Sequence, residues 1–129
     1  MSGNDLQVLQ QVYYKVPYTK HQKMGLKNYL PIKKNVETLQ NITTRPMFGY
    51  RCFSIEKKFF VGFSNKNDYQ VIVRLSKDQQ KDAIKSKSIK PFSHGAKMGW
   101  IEIDAKETTT NNAMKWILQG YENAKKMIK

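Results

Sequence analysis

Between Arg45 and Leu75 the apolar residues recur at two-residue steps, and two short polar runs interrupt them: RPMFGYRCFSIEKKFFVGFSNKNDYQVIVRL. That period predicts three strands and two tight connections. Tyr50–Ile55 follows Gly49, a natural point of strand entry, and Glu56-Lys57-Lys58 is short enough for a hairpin. In Phe59–Ser64 alternation places Phe59, Val61 and Phe63 on one face and Phe60 and Gly62 on the other. Gly62 leaves room for a close neighbour or marks a bulge. Asn65-Lys66-Asn67-Asp68 supplies turn residues that tolerate left-handed backbone. In Tyr69–Leu75, Tyr69, Val71, Val73 and Leu75 alternate against Gln70, Ile72 and Arg74. One apolar and one mixed face predict an antiparallel meander covered on one side.

Helical spacing appears on both flanks. Leu6, Leu9, Val12 and Tyr13 predict a first helix over residues 4–15, ended by Pro17. Residues 18–28 are basic and weakly patterned, and read as a connector or a frayed helix. Pro31 suits the first turn of a helix over Ile32–Gln40, with Asn41 as its terminator. Ser76 and Gln79 have the capping-box spacing that opens a helix over Lys77–Lys85. Ser86–Gly99 reads as a long loop, and Trp100–Ile103 as a fourth strand. Asn111 or Thr110 caps a last helix that runs toward Met127 and packs Met114, Ile117, Leu118, Tyr121, Ala124 and Ile128 on the sheet. The expected fold is α+β: an antiparallel β-meander of about four strands packed by N-terminal and C-terminal helices. Residues 1–31 form a helical extension and residues 32–129 the compact domain.

At 129 residues with 40% apolar content, the chain can build one modest core. It has no apolar run of membrane-spanning length. A polar start without a signal-peptide pattern predicts a cytoplasmic protein, and the single cysteine, Cys52, fits a reducing compartment. The net charge of +13 changes the picture most, because such a field draws polyanions. The excess is lysine, spread along the chain; only Arg45, Arg51 and Arg74 could read guanine by a bidentate contact. Nucleic acid, if it is the partner, is then bound without sequence specificity.

Candidate chemistry is sparse. Cys52 lies within an aromatic strand, and a nucleophilic pair would need it beside His21 or His94. Two histidines and one cysteine lack metal-ligand spacing, and Glu102 with Asp104 reads as a solvated strand end. Gly95 and Gly99 belong to no phosphate-binding pattern. Phe53, Phe59, Phe60, Phe63 and Tyr69 could stack bases if exposed, but a domain this size needs at least three of them as core. No catalytic residue, metal site or cofactor is assigned. The candidate contact surface is the basic stripe Lys77, Lys81 and Lys85 together with Lys87, Lys90, Phe92, His94 and Lys97 of the following loop.

The run Ile42-Thr43-Thr44-Arg45-Pro46-Met47-Phe48-Gly49-Tyr50, followed by Cys52-Phe53 and Lys58-Phe59-Phe60-Val61-Gly62, resembles the opening of the TfoX N-terminal domain. Val71–Leu75, Pro91-Phe92, Met98-Gly99-Trp100 and Trp116-Ile117-Leu118 fall where that family places its later elements. The likeness covers about residues 32–127; the YjbR-like proteins share the layout. It implies a small α/β domain linked to bacterial competence and transcriptional regulation, and it carries over no catalytic residue. The expectation is a non-enzymatic regulatory or adaptor module that binds a protein partner or nucleic acid and no membrane. The rival expectations are a small-ligand or enzymatic pocket at the 86–99 loop using His94 and Glu102, and a self-associating module.

Overall fold

The computed structural model describes residues 20–64 and 68–128, so the helix expected over residues 4–15 and most of the Asn65–Asp68 turn lie outside the described residues. Ten elements follow in order: α1 (Lys20–Glu37), β1 (Ile42–Met47), β2 (Tyr50–Ile55), β3 (Lys58–Ser64), β4 (Gln70–Val73), α2 (Lys77–Ala83), β5 (Ile89–Pro91), a 3₁₀ turn (Ala96–Met98), β6 (Ile101–Asp104) and α3 (Thr110–Lys126). The strands form one antiparallel sheet in the order β1-β2-β3-β4-β6-β5. No helix among the described residues is long and apolar enough to cross a membrane.

The α+β class holds, but the sheet has six strands where alternation predicted about four. Both additions are edge strands. β1 is ITTRPM, exposed at its four central positions, and β5 is the three-residue IKP. A strand whose outer edge meets water needs no apolar alternation, and each contains a proline that only an edge tolerates. The turns that bound β2 share one geometry. Phe48 and Gly49 have φ of 53° and 82°, and Glu56 and Lys57 have 44° and 71°, the type I′ signature of two-residue hairpins.

A second correction concerns β3. Phe53 pairs with Val61 and Ser54 with Phe59, so Phe60 is the extra residue of a β-bulge. The bulge sends Phe60 to the same face as Val61 and Phe63 and leaves Phe59 on the opposite one. Gly62 is no bulge; it is the close-packed position, with Ile72 Cγ1 3.0 Å from where a Cβ would stand.

The helix side of the sheet carries the main core of Phe53, Ile55, Phe60, Val61, Phe63, Val71, Val73, Ile101 and Ile103, under Ile32 and Val36 of α1 and Ile117 of α3. Pro31 does not open α1 but sits inside it. Proline there removes one i→i−4 hydrogen bond; the helix continues because tertiary contacts fix it on both sides. Asn28 donates to the carbonyls of Ala105 and Thr108 at 2.9 Å, Tyr29 Oη donates to Ser64 O at 2.7 Å, and Ile32 is fully buried. α3 packs so closely that a Cβ on Gly120 would meet Val73 Cγ1 at 2.9 Å. Its buried stripe is Ala113, Trp116, Ile117, Gly120 and Ala124, with Met114, Tyr121 and Ile128 half-buried; Leu118, expected inside, is 41% exposed.

The other face carries a smaller cluster: Cys52, Phe59, Ile72 and Phe92, with Met47, Tyr50 and Trp100 at its margin. Of the five sheet aromatics weighed as core or platform, all five are buried, four on the helix side and Phe59 on this one.

Candidate partner-binding edge

α2 begins with the expected reciprocal cap: Ser76 Oγ accepts from Gln79 N at 3.2 Å and Gln79 Oε1 accepts from Ser76 N at 3.0 Å. The helix is shorter than expected, ending at Ala83. Its single buried polar residue, Gln80, donates its amide to Ala96 O at 3.0 Å and Trp100 O at 2.9 Å. Lys77 Nζ reaches the same Ala96 carbonyl at 3.2 Å. Gly99 closes the arrangement. Its φ is 104°, and a Cβ there would stand 2.5 Å from Leu75 O, so only glycine lets the loop lie against the strand–helix junction.

These contacts fasten the loop to α2 and bring Lys77, Lys81 and Lys97 to one corner of the sheet, beside edge strand β5. The remaining candidates divide. Lys85 pairs with Asp82 at 3.1 Å, in water on both sides, and such pairs contribute little. Lys90 projects from β5 and pairs across the strand with Glu102 at 3.1 Å. Lys81, Lys87 and Lys97 are exposed and have no carboxylate partner among the described residues.

Phe92 is turned inward. Its ring caps Cys52, Phe59 and Ile72, edge-on to Tyr50 at 6.1 Å and stacked with Trp100 at 6.4 Å. It therefore anchors the loop and presents no surface to a partner. Met98, in contrast, is 60% exposed. His94 is exposed and its ring lies 5.5 Å from that of Phe92.

The chemistry available at these groups is limited. Burial pushes the Cys52 thiol up, an effect partly offset by Arg45 and Arg51, so it is a poor nucleophile at neutral pH. The His21 side chain lies outside the described residues. Asp104 Oδ1 accepts from Lys106 N at 2.9 Å, shaping the turn after β6. Among the described residues no three His, Cys, Asp or Glu side chains come together as metal ligands.

Sequence spacing found the lysines but missed Gln80 and Gly99, which position them. A polar residue inside a basic helix and a glycine before a tryptophan have no periodic signature. It also left Phe48 unremarked; Phe48 is 92% exposed at the β1–β2 turn.

A family model, that of the TfoX N-terminal domain, matches residues 34–124. Neither the curated proteins nor the solved structures yield a match.

Proposed function

Because the chain belongs to the TfoX N-terminal domain family, associated with competence regulation, we propose that it is a regulatory module that acts by binding rather than by catalysis, and that its α2–β5 corner docks on a nucleic-acid backbone without reading sequence. The observation that supports this is the set Lys81 and Lys97, on the two segments that Gln80 and Gly99 fasten together, with Lys87 at the other end of β5; all three are exposed and have no carboxylate partner among the described residues. Positioned cations of this kind displace condensed counterions from phosphates and make binding strongly dependent on salt. Arg45 and Arg51 stand on the β1–β2 ribbon and not at this corner, and bidentate base readout is not part of the proposal.

The test is a salt titration of binding to labelled duplex DNA and to RNA. Replacing Lys81, Lys87 and Lys97 together by alanine is expected to flatten the logarithmic salt slope by roughly 3, about 0.9 per lost phosphate contact. Absence of binding by the unaltered protein at low salt would remove nucleic acid and leave an acidic protein partner at the same corner.

A further inference from the structure

The β1–β2 ribbon ends in a feature that the fold itself does not use. Phe48 occupies a left-handed position, φ 53°, in which asparagine or glycine is favoured and a bulky side chain is strained. Its ring is 92% exposed, so no burial within the described fold compensates. Two unfavourable choices at one residue point to use outside the fold.

Its surroundings indicate for what. Two of the three arginines stand on the same ribbon: Arg45 opposite Cys52, and Arg51 opposite Pro46. The Arg45 guanidinium leans toward the tip, with Nη2 3.8 Å from Met47 Sδ. Neither arginine has a carboxylate partner among the described residues. An apolar ring projecting past two unpaired guanidiniums matches a duplex, in which base steps are apolar and phosphates flank them. Proteins that bend DNA insert such wedges between base steps, and arginine is a common partner of phosphate oxygens.

Placement agrees. β1 and β5 are opposite edges of the six-stranded sheet, yet over its loop-covered face Tyr50, two residues beyond Phe48, meets Phe92 of the lysine-bearing loop with ring centroids 6.1 Å apart. The ribbon tip and the loop that carries Lys97 are thus linked through one aromatic contact and can engage one bent duplex.

We propose that Phe48 is an intercalating wedge: on duplex DNA its ring enters a base step while Arg45 and Arg51 take the flanking phosphates, and the duplex kinks. This rests on the nucleic-acid reading of the lysine corner, and the experiment separates the two. A duplex of about 20 base pairs, short against the persistence length of DNA, carries a donor and an acceptor dye at its ends. Affinity, salt slope and end-to-end energy transfer are measured for the full chain and for F48N and F48W.

Asparagine suits the left-handed turn, so F48N keeps the fold. The expected result is shortening of the duplex by the unaltered protein and by F48W. F48N binds about ten-fold more weakly, the loss typical of one stacked ring, with no shortening and an unchanged salt slope. If F48N matches the unaltered protein, the wedge is overturned and the phosphate contacts stand. Weaker binding by F48N with no shortening by any variant also overturns insertion. If the unaltered protein does not bind at low salt, wedge and lysine corner fall together, and the tip is left to a protein partner.

Discussion

On the helix side of the sheet, Phe60, Val61, Phe63, Val71 and Val73 are fully buried beneath two long helices. On the opposite side, Phe59, Ile72 and Cys52 are buried beneath the ring of Phe92 and the loop that carries it. The same strands supply both sets, often from neighbouring positions. The difference lies in what covers them: α3 sits on Val73 through Gly120, whereas the second cluster is covered by the rings of Phe92 and Trp100, at the two ends of a loop anchored at Gly99. A face covered by helices should resist truncation as a unit and lose a great deal when cut. A face covered by a loop should yield locally and admit water.

The sharpest way to break this contrast is to truncate one ring on each face. Phe60→Ala removes a fully buried ring that meets Tyr121 edge-on at 5.4 Å, at a bulge whose carbonyl accepts from Arg74 N at 3.0 Å. It is expected to cost about 4 kcal/mol in urea unfolding, within the range for a buried phenylalanine. A large share of the stability of a domain this size would go. A loss below about 1.5 kcal/mol would mean that the helix side collapses around the gap and is not the rigid face described.

Phe92→Ala should cost less, about 2 kcal/mol, because water can replace part of the lost cover. Its clearer signature is chemical. Cys52 is 3% exposed, and its thiol is held up mainly by burial. With the Phe92 ring gone, native-state labelling of Cys52 by a thiol reagent should accelerate at least ten-fold, while Phe60→Ala at equal global stability should not produce the same rate. Equal labelling in both variants would show that Cys52 reacts only through global unfolding, and the two faces would not be separable.

The contrast also explains what the residue pattern could and could not tell. The helix-side core was legible because it is built on period two in Val71 and Val73 and on helical spacing in Ile117 and Tyr121. Alternation alone places Phe60 on the wrong face, because a bulge changes the period without changing composition. Leu118 is apolar and next to Ile117, yet the stripe turns through Trp116 and Gly120 instead. Gly120 is the residue that permits the close approach, and spacing rules count it as nothing. β1 and β5 escaped because edge strands are polar outside, and Pro46 and Pro91 read as interruptions. At the candidate corner the charges were visible, but the amide and the glycine that position them were not. Membership of the family was legible from short ordered motifs, which survive where periodicity fails.

The smallest expected effect compares two tyrosines, one on each face. Tyr29 packs against Phe63 and Tyr69 on the helix side and donates to Ser64 O; burial, then Asp68 and Tyr69, push its hydroxyl up to about 12. Tyr50, on the open face, is also raised, by burial and then by Glu102, Asp68 and Cys52. For a group whose folded pKa lies above the unfolded one, the folded state retains the proton longer. Its stabilising effect is therefore complete below about pH 10, the unfolded value, and is lost as pH rises toward about 12. Tyr29→Phe should cost about 1 kcal/mol at neutral pH for the lost hydrogen bond, and its stability should then fall less steeply between pH 10 and 12. Tyr50→Phe, at a half-buried site open to water, should flatten that alkaline limb less. Thermal unfolding of both variants across this window decides it. A larger change from Tyr50 would mean that the open face excludes water better than the helix side does, because desolvation by burial is the leading cause of both shifts.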